Sequence, residues 1–289
     1  MSGERSALHL PSSVVDKAVA EALAEDLGIG GDVTTQATVP VGTQASGVIA
    51  ARKAGTVAGV QLAKAAFKTL DPFTQFDVVI ADGETVAAGG IIARASGDAR
   101  ALLTGERTAL NFLGHLSGIA TLTARYVAAV AGTNARIIDT RKTTPGLRAL
   151  EKFAVRCGGG VNHRFGLFDA VLIKDNHIVA AGGVGAALAR ARAHAGHMVK
   201  VEIEVTNLDE VDEALQLDPD ALLLDNMNVS ALRAAVKEVA GRVITEASGG
   251  VDLDSVRAIA ETGVDLISVG ALTHSAPVLD IGLDFDPPA

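Results

Sequence analysis

Tryptophan is absent and only 3% of the residues are aromatic, so the core cannot rest on large rings. With 48% hydrophobic residues, Ala, Val, Leu and Ile must fill it, and the chain reads as an aliphatic-cored globular protein. Cysteine occurs once, at Cys157, which excludes an internal disulfide and fits a reducing compartment. Its neighbours Gly158, Gly159 and Gly160 offer no second thiol for a metal. Positive charge is scarce: 25 Lys and Arg against 34 Asp and Glu leave a formal charge of −9. That excludes the broad basic face that nucleic acid requires, so any anion binding must be local. No segment approaches about 18 uninterrupted apolar residues, and MSGERSALHLPSSVV lacks the apolar core of a secretory signal. A cytoplasmic protein without membrane attachment is the expectation. A GxxxxGKS/T phosphate loop is missing, and neither GIGGD nor GGVGAAL has the spacing and context of a dinucleotide loop.

What the chain does have is a two-part pattern over 289 residues, more than one small domain usually holds. Val15, Val19, Leu23 and Leu27 recur every fourth residue between Ser12 or Ser13, which can cap a helix, and Gly28, which can stop it. GIGGDVTTQATVP after it reads as a loop. Short strand-like runs (SGVIAAR, FDVVIA, GIIARAS) and one helical stretch near Val60 to Leu70 predict a small mixed α/β layer. Ala99 to Val130 turns helical, and the glycines from Gly114 to Gly118 predict a break into two helices. Beyond it, RIIDT, DAVLIK, VKVEIEV, ALLLDN, VITEAS and LISVG alternate with amphipathic stretches, as βα units of a parallel sheet do. The expected fold is α/β: an incomplete αβ barrel over 116–275, beside a smaller mixed α/β domain over 1–115 rejoined by 276–289. An open doubly wound sheet is the competing architecture.

Each β-like run closes on polar groups, and a barrel gathers strand C-terminal ends around one opening. In this acidic chain Arg141, Lys142, His163, Arg164 and Lys174 crowd one short stretch, which points to an anion site. A charge at the end of a buried strand needs a partner or a ligand. A structural ion pair with Asp139, Glu202 or Asp225 is the alternative use of Arg141, Lys142 and Lys174, and an ordinary loop contact that of His163 and Arg164. Arg148, Lys152 and Arg156, spaced i, i+4, i+8, read instead as a solvated helix face. Ser248, Gly249, Gly250 and Ser268, Val269, Gly270 end the last two runs, where barrels commonly bind phosphate through backbone N–H groups; tight turns are the plainer reading. Glu204 and Asp225, on neighbouring strand ends, suit Mg²⁺, which binds one or two carboxylates plus phosphate oxygens. Simple neutralisation of nearby lysines is their other use. The histidines show no spacing that would build a zinc site.

TRKTTPGLRALEKFAVRCGGGVNHRFGLFDAVLIKDNH, with EDLGIGGDVTT, GERTALNFLGHLSGIAT, VEIEV, LLLDN, EASGG and VGALTHSAP before LDIGLDF, closely resembles the quinolinate phosphoribosyltransferase family across almost the whole chain. The resemblance implies transfer of a phosphoribosyl group from phosphoribosyl pyrophosphate to quinolinate, with loss of CO₂, in NAD biosynthesis. It implies that Arg107, Arg141, His163, Arg164 and Lys174 hold the substrate carboxylates. It further implies that Lys142, Lys174, Glu204 and Asp225 serve the phosphoribosyl donor and its Mg²⁺, that Thr140 lines the same mouth, and that no organic cofactor is needed. A homodimer in which Arg107 enters the partner's site is part of the same expectation. Rival readings are a Schiff-base lyase or aldolase using Lys174, a phosphoribosyltransferase for another base, and an anion-binding protein without turnover.

Overall fold

A computed structural model describes residues 8–287. The chain divides into two compact units. One holds the described residues up to Ala124, Thr144–Gly159 and the segment from Ser275; the other holds Arg125–Thr143 and Gly160–His274.

The first unit opens with α1 (Ser12–Leu27), whose Val15, Val19 and Leu23 are buried on one face and which Gly28 ends with φ 49°. The segment expected to be a loop contains a short helix, α2 (Val33–Thr38). Asp32 nucleates it by accepting the Thr35 N–H at 2.9 Å, a cap that the surrounding glycines and threonines had masked. β1 (Gln44–Ala51), β3 (Gln75–Val78), β5 (Ile91–Asp98) and the last strand of the chain, β12 (Ile281–Phe285), form an antiparallel sheet in the order β12-β1-β5-β3. β2 (Gly55–Thr56) and β4 (Thr85–Val86) make a separate two-stranded ladder. α3 (Val60–Leu70) buries Val60, Leu62, Ala63, Ala66 and Phe67, and Phe67 meets Phe76 with ring centroids 6.0 Å apart.

The break expected near Gly114 to Gly118 does not occur: α4 runs unbroken from Ala99 to Ala129. Its glycines serve close approach instead. A Cβ at Gly118 would come 2.2 Å from the Pro277 carbonyl oxygen, and one at Gly114 3.0 Å from that of Leu279. Helix propensity therefore yields to packing by the returning C-terminal segment. A second correction concerns α5 (Arg148–Cys157). Arg156 is exposed, but Arg148 is half-buried and Lys152 is only 2% exposed. This helix is buried almost all round, so its i, i+4 cations do not form a solvated face.

The second unit carries all six predicted β runs: β6 (Arg136–Ile138), β7 (Val171–Ile173), β8 (Val201–Val205), β9 (Ala221–Asp225), β10 (Ile244–Ser248) and β11 (Leu266–Ser268). The helices α6 (Asp175–Ala181), α7 (Val184–His194), α8 (Leu208–Leu215), α9 (Val229–Val239), α10 (Val256–Ala260) and α11 (Ala271–His274) alternate with them. All pairs are parallel, in the order β6-β11-β10-β9-β8-β7. Val161 adds a short bridge to Ile138 at the β6 edge. The sheet curls, because His163, just past that bridge, lies 3.1 Å from Glu202 on β8 near the opposite edge. Arg164 spans the gap between the two edges, donating from Nη1 to the carbonyl of Ala170 just before β7. The result is the incomplete αβ barrel rather than an open doubly wound sheet.

Register sets the interior in layers. Glu202 aligns with Ala221, and Ala221 with Ile244. One pleat higher, Glu204, Leu223, Glu246 and Leu266 align across β8, β9, β10 and β11. Above them Asp225 aligns with Ser248. Because side chains two residues apart share a face, Glu202 and Glu204 point the same way, as do Leu223 and Asp225.

Candidate active site

Every predicted site residue except Arg107 lies on the second unit; His163 and Arg164 are on the loop past the Val161 bridge, and the others are at or just past a strand C-terminus. Arg107 is exposed on α4 in the first unit. Thr140, Arg141 and Lys142 follow β6; the Lys142 N–H donates to Thr140 Oγ1 at 3.0 Å, folding this turn back on itself. Thr273 Oγ1 donates to the Lys142 carbonyl at 2.7 Å, tying the turn to the far end of α11. Gly270 leaves room for the Lys142 stem: a Cβ there would stand 3.1 Å from Lys142 Cδ. Lys142 thus lies against the turn after β11 with its side chain exposed.

Asp139, fully buried, accepts the Asn162 amide at 2.6 Å and the His163 N–H at 2.9 Å, and so orders the loop that carries His163 and Arg164. Asp169 closes the same loop from the other side by accepting the N–H groups of Phe165 and Gly166. The Arg164 guanidinium sits in a setting that penalises charge: burial first, then repulsion from Arg141, holds its pKa below the ordinary arginine value. Its Nε is buried and has no hydrogen-bond partner among the described residues. Two guanidiniums near enough to repel, one with an open donor, present the kind of N–H groups that carboxylates accept from.

Lys174 caps β7 and reaches Glu204 Oε2 at 2.7 Å. Its side chain is 49% exposed whereas that of Glu204 is 9% exposed, so the ammonium faces the mouth and the carboxylate faces the interior. On the next strand Asp225 accepts the Asn226 amide at 2.6 Å. Asn226 adopts φ 53° and donates its N–H to the Ser248 carbonyl. Beyond Ser248, Gly249 and Gly250 both take positive φ, 97° and 62°, a backbone that a side chain would strain. Ser268 is buried, with Oγ 3.4 Å from the Ala247 carbonyl. Glu204 and Asp225 share a face of adjacent strands and supply hard oxygen donors, which suits Mg²⁺ chemistry.

Sequence reasoning did not single out Glu202 and Glu246 as functional. Both lie in the barrel interior within reach of His163 Nε2, at 3.1 and 3.4 Å. The available signal was an acid alternating with apolar residues inside a buried strand, in VEIEV and ITEAS. Burial and the neighbouring Glu202 push the Glu246 pKa well above the usual carboxylate range. Both ring nitrogens of His163 are engaged, since Nδ1 accepts the Arg164 N–H at 2.6 Å.

The C-terminal-domain model of quinolinate phosphoribosyl transferase matches residues 119–284, and the N-terminal-domain model matches residues 32–117. A carboxylating nicotinate-nucleotide pyrophosphorylase of Mycobacterium leprae is 48% identical over 271 residues, covering 92% of this chain and 95% of its own. A mitochondrial quinolinate phosphoribosyltransferase of Nicotiana glauca is 44% identical over 283 residues, covering 92% and 80%. The solved nicotinate-nucleotide pyrophosphorylase of Francisella tularensis superposes with a TM-score of 0.92 at 40% identity, covering 96% of this chain and 98% of that one.

Proposed function

The chain belongs to the quinolinate phosphoribosyltransferase family, and from that premise we propose how its own residues carry out the transfer of a phosphoribosyl group to quinolinate. The observation that carries the reading is the Arg141 and Arg164 pair, with the open Arg164 Nε, at a strand-end mouth that Lys174 shares. Quinolinate brings two carboxylates, and planar guanidiniums bind carboxylates through paired N–H groups. Arg107, supplied by the partner subunit of a homodimer, completes the cation set. His163 contributes through Arg164, whose N–H it accepts.

Phosphoribosyl pyrophosphate lies across the mouth with its phosphates toward the Gly249–Gly250 and Ser268–Val269–Gly270 turns and toward Lys142. Glu204 and Asp225 would hold Mg²⁺ and face the ribose side of the donor. When bound, the ion would supply charge neutralisation for the departing pyrophosphate. The pyridine nitrogen forms a bond to C1 of the ribose as the C1–O bond breaks, and pyrophosphate leaves with that electron pair. Lys142 and Lys174 stand where its negative charge grows. With positioning and electrostatics carrying the step, no covalent nucleophile is required. The ring nitrogen is then cationic, so the C2 carboxylate departs as CO₂, its electrons stay on C2, and a proton replaces it. The products are nicotinate mononucleotide, pyrophosphate and CO₂.

Incubation with quinolinate, phosphoribosyl pyrophosphate and Mg²⁺ tests the reading: nicotinate mononucleotide and CO₂ must form together. Their absence, or faster turnover with nicotinate than with quinolinate, overturns it. A Schiff-base role for Lys174 is disfavoured by its 2.7 Å contact with Glu204, which occupies its Nζ. No described helix is long and apolar enough to cross a membrane, and the one cysteine is buried and free; a cytoplasmic setting is part of this proposal.

A further inference from the structure

β7 is an edge strand, the last in the order of the described parallel sheet. Its Val171 N–H is taken by the Lys200 carbonyl just before β8. Backbone groups alternate sides along a strand, so Val171 and Ile173 face β8 while Lys174 turns its N–H toward the bare edge. A closed barrel would satisfy that donor with its next strand. Here the chain turns into α6 instead, and a side chain of the first helical turn takes the donor: the Lys174 N–H donates to His177 Nδ1 at 2.9 Å.

The contact is reciprocal. The Lys174 carbonyl accepts the His177 N–H at 2.8 Å and the Ile178 N–H at 3.0 Å. Lys174 is the N-cap of α6, in extended backbone geometry with φ −107° and ψ 167°, and His177 stands at N3. The imidazole therefore fills the place that Glu or Gln takes in a capping box, and with Nδ1 accepting, the proton of the neutral ring lies on Nε2. No residue of α6 is buried, so core packing does not hold this turn and the cap bonds set where it sits. At the far end of the same residue, Lys174 Nζ meets Glu204 Oε2 at 2.7 Å. Glu204 alone does not place the lysine, because a flexible four-carbon stem reaches one carboxylate from several backbone positions.

We infer that His177 is a positioning residue for the transfer: through Nδ1 it fixes the Lys174 backbone at the open edge of the barrel, and so fixes where Nζ enters the mouth. This rests on the functional reading above, in which Lys174 stands where the charge of the leaving pyrophosphate grows. A misplacement of about 1 Å in such a group costs up to about a hundredfold in rate. His177 is exposed, and its value lies in that aim rather than in packing.

Asn and Gln separate the two ring nitrogens. Asn Oδ1 stands as far from Cβ as Nδ1 does, whereas the Gln amide reaches the position of Nε2. In steady-state assays on the full-length protein, His177→Ala should lower kcat/KM for quinolinate about tenfold, and His177→Gln should be as impaired. His177→Asn should stay within about threefold of wild type. In a Lys174→Ala background, His177→Ala should cost less than about twofold more, since no cation is left to aim. Amide hydrogen exchange at Lys174, measured without substrate, should be at least about tenfold faster in the Ala and Gln variants than in wild type and the Asn variant.

Near-wild-type activity in His177→Gln overturns the inference, because the working contact would then be made by Nε2. An Asn variant as impaired as the Ala variant overturns it as well, as does full activity in His177→Ala. An equal loss in both backgrounds would show that His177 acts without Lys174 and has the same consequence. Should His177→Ala not fold, the Asn and Gln variants and their exchange rates decide. If the wild type makes no nicotinate mononucleotide, the functional reading falls by that assay alone, while Lys174 exchange that is the same in all variants removes the backbone contact itself.

Discussion

Lys174 Nζ lies 2.7 Å from Glu204 Oε2, with the lysine half exposed at the barrel mouth and the glutamate nearly buried beneath it. The pair crosses from β7 to β8 at the same level of the barrel, since the register that aligns Ile173 with Ile203 carries Lys174 opposite Glu204. Removing the lysine removes a mouth cation and strands a carboxylate. Lys174→Ala should lower kcat/KM by about 10³ or more. It should also melt earlier than Lys174→Ala/Glu204→Gln, in which no buried charge is left unpaired. Thermal denaturation of the two variants side by side checks this; equal melting temperatures would show that Glu204 does not depend on the lysine.

Arg107 stands on a different unit from every other predicted site residue. If it serves the partner's site, Arg107→Ala and Lys174→Ala proteins are each inactive, yet hybrids of the two contain one intact site. Random reassortment in a dimer should restore about a quarter of wild-type activity. Mixing after partial denaturation and refolding, with activity followed over time, measures it. No recovery would place Arg107 in its own subunit's site or outside the site.

The substrate and ion requirements follow from charge. Nicotinate carries one carboxylate and would leave part of the Arg141 and Arg164 receptor without a partner, so quinolinate should be preferred by at least about a hundredfold in kcat/KM. Chelation with EDTA should abolish turnover and Mg²⁺ should restore it, as expected of two carboxylates working with pyrophosphate oxygens. Full activity in EDTA would remove Mg²⁺ from the proposal.

Gly249 combines φ 97° with a neighbour that forbids a side chain: a Cβ would come 2.1 Å from Asn226 Oδ1 and 3.1 Å from the Asn226 backbone nitrogen. Gly249→Ala should therefore cost about 1 to 3 kcal/mol of stability and raise KM for phosphoribosyl pyrophosphate more than KM for quinolinate. Urea denaturation with parallel kinetics separates the two effects. A stable variant with an unchanged donor KM would reduce this turn to an ordinary connection.

The pH dependence of stability has a definite sign. Burial pushes Glu246 and Asp82 above the usual carboxylate range, so the folded state holds protons that the unfolded chain has already released. Stability then falls as pH rises from the ordinary carboxylate pKa toward the raised folded value. Glu246→Gln removes that contribution for one group and should flatten the fall over the same window. Denaturant midpoints measured across this range for both proteins give the comparison; parallel curves would mean that Glu246 is ionised in the wild type.

Much of the second unit was readable because buried parallel strands must be apolar for several residues together and must stop at polar ends. RIIDT, DAVLIK and the four runs after them therefore announced β6 to β11, and the strand-end rule located Arg141, Lys142, Lys174 and Asp225. Local signals failed where a distant segment overrode them. Gly114 and Gly118 look like helix breakers in one dimension, yet they admit residues 277–279 against an unbroken α4. Arg148, Lys152 and Arg156 have the spacing of a wet face, yet Lys152 is buried. Nothing within ten residues of either site records what packs on it.

By itself the sequence determined the α/β class, the aliphatic core, the family and the identity of the cations that crowd one mouth, because each follows from composition, short-range periodicity or contiguous motifs. Tertiary structure alone decided which acid faces which base. Glu202, Glu204 and Glu246 are similar acids on similar strands, but strand order and register send Glu204 to Lys174 and bring Glu202 and Glu246 to His163. Pairing register is a long-range property, and a shift of one residue would turn those side chains to the opposite face.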